Sequence, residues 1–149
     1  MKADNPELVK AGNLGIPVME RATLLGEIMK KFPYSIAISG THGKTTTTSM
    51  VSMIMMEAAL DPTIHIGGEL DAIGGNTRIG GNDYFIAEAC EYVESFLKFH
   101  PYLAVVLNIE ADHLDYFKYI EHIKNAFSKF ISLVPENGYV VACADDKNV

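Results

Sequence analysis

The chain has 149 residues, of which 48% are hydrophobic, and its formal net charge is −7. This length allows one compact domain with at most a small appendage, and the apolar share excludes a disordered chain. The acidic balance disfavours a nucleic-acid surface, and no apolar run reaches the roughly 18 residues of a membrane helix. Cys90 and Cys143 have neither metal-site nor disulfide spacing. We therefore expect a reduced, cytoplasmic protein without nucleic-acid partners or membrane insertion.

Residues 1–33 differ in pattern from the rest of the chain. They predict a short helix at 6–12, a short strand at 16–18 and an amphipathic helix at 20–32. We interpret them as the end of a preceding domain and its linker, joined to the following domain near residue 34.

From residue 34 onward, short apolar runs alternate with helical patterns. Strands are predicted at 35–38, 63–66, 84–87, 103–107 and from 139, and helices at 44–60 and 119–134. Segment 67–81 contains six glycines and is predicted to be a loop. Strands that alternate with helices predict an α/β fold, with a P-loop-type parallel sheet flanked by helices.

A glycine-rich turn links the first of these strands to the next helix, and it has the composition of a phosphate-binding loop. Glycines let backbone N–H groups converge on an anion, a lysine neutralises the β- and γ-phosphates, and the following hydroxyl binds Mg²⁺. The predicted ATP-binding residues are Gly40, Thr41, His42, Gly43, Lys44, Thr45 and Thr46. The usual pattern has one more glycine where this chain has Ile38, so an ordinary glycine turn is the alternative. We expect Lys44→Ala to abolish activity with the fold intact, because the helix start should face solvent.

Two other strands are predicted to end in polar groups at the same edge of the sheet. Glu88 ends one strand, while Asn108, Asp112 and His113 follow another. Their oxygen and nitrogen atoms suit a magnesium–phosphate site. A solvated helix start is the alternative for the acids Glu91, Glu94 and Asp115, and local packing or solvation for the histidines His65, His100 and His122.

In family order, three motifs resemble the Mur ligases: Gly40 to Thr47, Glu88-Ala89-Cys90-Glu91 followed by Ser95-Phe96-Leu97, and Asn108 to His113. The interval of 25 residues between Glu88 and His113 most resembles the members that add L-alanine to UDP-N-acetylmuramate. Residues 34–149 then resemble most of the family's central ATP-binding domain. Residues 1–33 resemble the end of its N-terminal UDP-sugar-binding domain.

The resemblance implies an ADP-forming ligase of peptidoglycan synthesis that uses ATP and Mg²⁺ and proceeds through an acyl phosphate. It implies that Lys44, Glu88 and His113 are catalytic, and that Thr45, Glu88 and His113 bind metal. Asn108 would orient the nucleotide side of the site. The glycine-rich segment, through Asn76 and Arg78, would face the sugar substrate.

The sequence departs from the family pattern in two respects. Several members use a carbamylated lysine at the position of Ser128, so we predict none here. The family's C-terminal domain has no counterpart in these 149 residues, so we expect a fragment that is inactive alone. Alternatives are the murein-peptide recycling ligase, which typically has Phe where this chain has Ala111, a small-molecule kinase, and a nucleotide-binding module without catalysis.

Overall fold

A computed structural model describes residues 4–113 and 116–149 of the chain. The helices are α1 (Pro6–Asn13), α2 (Arg21–Met29), α3 (Lys44–Glu57) and α4 (Ile120–Ile131). The strands are β1 (Tyr34–Ser39), β2 (Thr63–Leu70), β3 (Gly75–Arg78), β4 (Tyr84–Glu88), β5 (Leu103–Val106) and β6 (Tyr139–Ala142). Short 3₁₀ segments cover Asp71–Ile73 and Tyr92–Lys98. No helix in the described part of the chain is both long and apolar enough to cross a membrane.

The six strands form one sheet in the order β3-β2-β4-β1-β5-β6. All neighbours pair in parallel except β2 and β3, which form an antiparallel edge. The predicted α/β fold with helix-flanked strands is therefore confirmed, with one antiparallel strand added. Because β4, β1 and β5 are adjacent, the segments that follow their carboxyl ends lie side by side.

Helices cover both faces of the sheet because residues along each strand alternate between the faces. On one face, Ile38 of β1 and Ile86 of β4 pack with Met55 of α3. On the other face, Ala37 packs in a larger cluster that includes Met29 of α2. This cluster also contains the buried aromatic residues Phe96, Phe99, Phe127 and Phe130.

The two helices predicted before residue 34 are present, but the strand predicted at 16–18 is wrong. Residues 16–20 have no regular secondary structure and pair with no strand in the described chain. Proline at position 17 has no N–H to donate to a sheet. The Asn5 side chain begins α1 by accepting a hydrogen bond from the Glu7 backbone N–H at 2.9 Å.

The prediction that 67–81 is a loop is also wrong in part. β2 continues to Leu70, and the chain then turns back through Gly74 to form β3. Gly74 has a φ of 67°, a left-handed conformation that glycine adopts without strain. Strand pairing uses backbone hydrogen bonds and needs no side chains, so glycines can form this hairpin.

Candidate functional site

The loop between β1 and α3 has the backbone shape that its glycines predict. Gly40 has a φ of 144° and Gly43 a φ of 83°. A Cβ atom on Gly40 would lie 2.9 Å from Leu107 Cβ and 3.2 Å from the Asn108 nitrogen, so only glycine fits there. Gly43 is the N-cap of α3, and the first turn of a helix has N–H groups without intrahelical acceptors. This arrangement suits an anion such as a phosphate.

The residues that follow β5 brace this loop. The Asn108 side chain accepts a hydrogen bond from the His42 N–H at 2.8 Å and donates one to the His42 carbonyl oxygen at 3.1 Å. The Thr41 N–H donates to the Asn108 carbonyl oxygen at 3.0 Å. Thr41 Oγ1 accepts from the Glu110 N–H at 2.9 Å, and Thr41 is buried. Asn108 and Thr41 thus fix the loop's shape, while the His42 ring and Thr46 are exposed.

Lys44 begins α3, but its side chain folds back into the loop. Its Nζ donates to the Gly40 carbonyl oxygen at 2.5 Å and to the Thr41 carbonyl oxygen at 3.2 Å. It also forms an ion pair with Glu91, with Nζ 2.9 Å from Oε2. Only 17% of the side chain is exposed. The expectation that this helix start faces solvent is therefore wrong for Lys44.

Glu91 is the residue of the site that sequence reasoning missed. A solvated helix start was the alternative for it, yet its side chain is only 3% exposed. The chain after β4 turns through Val93 and Glu94, which both have left-handed backbone angles, and the Glu91 carboxylate just before this turn is buried. The signal available in the sequence was its place three residues after Glu88 in the second motif.

Thr45 and Glu88 supply two oxygen atoms beside the loop. Thr45 Oγ1 lies 3.2 Å from Glu88 Oε2, and Glu88 Oε1 accepts the Gly67 N–H at 2.7 Å. Two oxygens that share an octahedral Mg²⁺ at about 2.1 Å lie roughly 3 Å apart. The pair therefore fits a magnesium ion that completes its shell with phosphate oxygens and water.

His113 lies next to Glu91 and Tyr92. Its Nε2 is 3.9 Å from Glu91 Oε1, and its ring centroid is 4.6 Å from that of Tyr92. No hydrogen bond or ion pair joins His113 to Glu88 within residues 4–113 and 116–149. In that part of the chain, no three histidine, cysteine or acidic side chains are grouped to hold a metal. Asp112 accepts a hydrogen bond from the His113 N–H at 2.6 Å, whereas Asp115 lies outside the described residues.

A recess of about 200 Å³ opens next to these groups. Lys44, Glu88, Cys90, His65 and Arg21 are among the residues that line it. Burial lowers the pKa of His65, the nearby Arg21 lowers it further, and Glu88 acts in the opposite direction. The recess therefore brings the cationic side chains of Lys44 and Arg21 next to the Glu88 carboxylate.

The two residues predicted to face the sugar lie on β3, at the antiparallel edge of the sheet. Arg78 is held by Asp61, with its Nη2 atom 2.5 Å from Oδ1, and by the Pro62 carbonyl oxygen at 2.7 Å. Asn76 is exposed, and its Oδ1 accepts from Thr77 Oγ1 at 3.1 Å. Arg78 thus stabilises the turn before β2, while Asn76 remains accessible.

Several curated proteins that are similar in sequence carry the same name. A UDP-N-acetylmuramate–L-alanine ligase of Acetivibrio thermocellus is 84% identical over the whole chain, which covers 32% of that protein. The ligase of the same name from Caldanaerobacter subterraneus subsp. tengcongensis is 61% identical over 97% of the chain, again 32% of its length. The chain therefore spans about a third of the length of these relatives.

Solved structures of two ligases match the chain at lower sequence identity. The UDP-N-acetylmuramate–alanine ligase of Thermotoga maritima matches the whole chain with a TM-score of 0.87 and 30% identity, over 34% of its own length. The UDP-N-acetylmuramate:L-alanyl-γ-D-glutamyl-meso-diaminopimelate ligase of Neisseria meningitides matches 99% of the chain with a TM-score of 0.84 and 28% identity, over 51% of its length. The Mur ligase middle domain matches residues 38–149, and the Mur ligase family catalytic domain matches residues 1–33. With its phosphate loop, its sheet and most of its length matched in this way, the chain belongs to the Mur ligase family.

Proposed function

We propose that this chain is the ATP-binding part of a cytoplasmic, ADP-forming ligase that joins L-alanine to UDP-N-acetylmuramate in peptidoglycan synthesis. One observation carries the proposal: Lys44 is held inside a glycine loop at the sheet edge where Thr45 and Glu88 place two oxygens 3.2 Å apart. The names of the relatives support this choice of substrates. On this proposal, residues 1–33 end a UDP-sugar-binding domain and residues 34–149 form most of the central domain.

The proposed chemistry overcomes the low reactivity of a carboxylate. The muramoyl carboxylate attacks the γ-phosphorus of ATP, ADP leaves, and the resulting acyl phosphate is attacked by the alanine amine. A tetrahedral intermediate then collapses to the amide and releases phosphate. The N–H groups at the start of α3 bind the phosphate oxygens, and the positive charge of the Lys44 ammonium beside them stabilises the negative charge that shifts during transfer.

The same geometry supports two of the proposed metal ligands. When bound, Mg²⁺ would supply positive charge that offsets the charge of the phosphate oxygens. We propose that Thr45 Oγ1 and Glu88 Oε2 would hold this ion, and that His113 would hold a second one. Asn108 keeps the loop in place through His42 and lines a shallow cleft of about 630 Å³ between the ends of β5 and β6. We propose that the muramoyl carboxylate enters the recess lined by Arg21 and Glu88, and that Asn76 contacts the sugar.

An assay of the full-length ligase that carries this chain tests the proposal. ADP release is measured with UDP-N-acetylmuramate, ATP and Mg²⁺, with and without L-alanine. We expect alanine-dependent ADP release, and a loss of at least about 10³-fold in turnover in Lys44→Ala, since charge-stabilising groups contribute this much. Turnover above a tenth of the wild-type value in that variant would show that the loop is structural only.

A second candidate is ligation of a preformed peptide to the same sugar nucleotide. The fold match to the Neisseria ligase, with a TM-score of 0.84, supports this second candidate. Replacing L-alanine by the tripeptide L-alanyl-γ-D-glutamyl-meso-diaminopimelate in the same assay separates the two. Faster ADP release with the tripeptide would replace the alanine proposal by this one, and ATP binding without any amine-dependent turnover would leave a nucleotide-binding module.

A further inference from the structure

Glu91 is a buried acid at the centre of the candidate site, and the proposed chemistry gives it no role. Its side chain is 3% exposed, and it contacts two residues that the proposed reaction uses. Lys44 Nζ lies 2.9 and 3.3 Å from its two carboxylate oxygens, and His113 Nε2 lies 3.9 Å from Oε1. A buried carboxylate is stable only when cations or donors surround it.

The contacts of Lys44 show what Glu91 contributes. An ammonium group has three N–H donors, and Lys44 directs them at the carbonyl oxygens of Gly40 and Thr41 and at the Glu91 carboxylate. The two carbonyl oxygens belong to the loop itself, whereas the carboxylate comes from the segment after β4, 47 residues away. Glu91 therefore links Lys44, by a hydrogen bond, to the segment that follows β4.

The charges also distinguish Glu91 from Glu88. Glu88 faces the Thr45 hydroxyl and the Gly67 N–H, so its oxygens remain available to a metal. Glu91 instead faces the lysine with both carboxylate oxygens, at 2.9 and 3.3 Å, so the ammonium compensates its charge. The two glutamates of the motif thus have different surroundings, and only one has the environment of a ligand.

We propose that Glu91 is a positioning residue: its buried carboxylate holds the Lys44 ammonium inside the phosphate loop for phosphoryl transfer. The effect of Glu91 on kcat rests on the proposed function, whereas its ion pair with Lys44 does not. Charge and geometry are both needed, because the ammonium is held by a charge-assisted hydrogen bond. Glu91→Gln keeps the size of the side chain and removes the charge, and Glu94→Gln is a matched control. Glu94 lies three residues further along the same segment and pairs with Lys129 at 3.1 Å, away from the loop.

The first test observes the lysine in this chain without any activity. In ¹H–¹⁵N spectra of the side-chain ammonium groups, only hydrogen-bonded and protected groups persist; the Lys44 signal is assigned by its loss in Lys44→Arg. We expect Glu91→Gln to speed its hydrogen exchange by about tenfold or more, because a charge-assisted bond is lost. Glu94→Gln should leave the signal unchanged. A Lys44 signal that is insensitive to Glu91→Gln, or as labile as those of surface lysines in the wild type, would overturn the proposal.

The second test measures kinetics in the full-length ligase. Glu91→Gln should lower kcat by about 10- to 100-fold, because a misplacement of about 1 Å can cost this much. The KM for UDP-N-acetylmuramate should stay within a factor of about two, and Glu94→Gln should match the wild type. In a Lys44→Met background, Glu91→Gln should lower kcat by no more than about twofold further, since residues that act through one another are not additive.

The two tests separate the possible failures. Independent losses in the double variant, or a normal kcat in Glu91→Gln, would refute the positioning role. If the wild-type ligase released no ADP with alanine, the proposed function would fall, while the ammonium spectra would still decide whether Glu91 holds Lys44.

Discussion

Replacement of Lys44 by alanine should destabilise the fold as well as stop the proposed reaction. The change removes the strongest partner of Glu91, which lies 2.9 Å away and is 3% exposed. Breaking a buried ion pair on one side costs about 3–5 kcal/mol, because the remaining charge stays buried without compensation. Lys44 is 17% exposed, so water can partly solvate the carboxylate once the lysine is removed. We therefore expect a loss of about 2–4 kcal/mol in the free energy of unfolding.

Urea unfolding followed by circular dichroism measures this loss. The matched control is Lys30→Ala, whose pair with Glu27 is also short, at 2.7 Å, but roughly half exposed on both sides. A solvent-exposed ion pair contributes little to stability, so this variant should remain close to the wild type. The double variant Lys44→Ala, Glu91→Gln should be more stable than Lys44→Ala alone, because it leaves no buried charge.

The measurement would refute the reasoning in either of two ways. A loss below about 1 kcal/mol in Lys44→Ala, similar to that of the exposed pair, would mean that Glu91 is solvated in solution. A double variant less stable than both single variants would mean that shape rather than charge determines the stability at this position.

Gly40→Ala should lower the free energy of unfolding by about 1–3 kcal/mol in urea, since its φ of 144° is strained for alanine and its Cβ would lie 2.9 Å from Leu107 Cβ. An unaffected midpoint would contradict the loop geometry. Asn108→Ala should weaken ATP binding, measured by calorimetry, because the two side-chain bonds that hold the backbone of residue 42 are lost; unchanged affinity would assign Asn108 no bracing role. Burial lowers the pKa of His65, so the unfolded chain binds its proton more readily, and the free energy of unfolding should fall as pH decreases through the imidazole's ordinary pKa of about 6.5. His65→Gln should reduce this pH dependence of the thermal midpoint, and an identical pH profile would contradict it.

The sequence predicted well those elements whose buried residues form a recognisable hydrophobic pattern. β1, β4 and β5 are apolar runs, and α3 begins directly after the glycine turn, so their places and the position of the loop between them were predictable. A parallel sheet was also predicted, from short apolar runs that alternate with helical patterns.

Other features depend on contacts that no local pattern encodes. β3 forms because the backbone of a glycine-rich segment can pair with β2, and composition alone indicated a loop there. Residues 16–18 have a strand-like composition, but no strand in the described chain pairs with them. Glu91 is buried against residues distant in sequence, such as Lys44, which is 47 residues away. The sequence was therefore enough to locate the motifs, whereas the structure was needed to identify the partners of Glu91.

The bonds that shape the phosphate loop join residues far apart along the chain. His42 and Asn108 are separated by 66 residues, Lys44 and Glu91 by 47, and Thr45 and Glu88 by 43. Such long-range contacts form late in folding, because large loops must close before they are made. A partly folded chain in which β4 and β5 have not yet joined β1 therefore lacks a formed nucleotide site. Nucleotide that binds only the folded chain, at about one hundred times its Kd, would add about 2.7 kcal/mol to the free energy of unfolding. Protection of the β1–β5 pairing from hydrogen exchange would then report directly on occupancy of the loop.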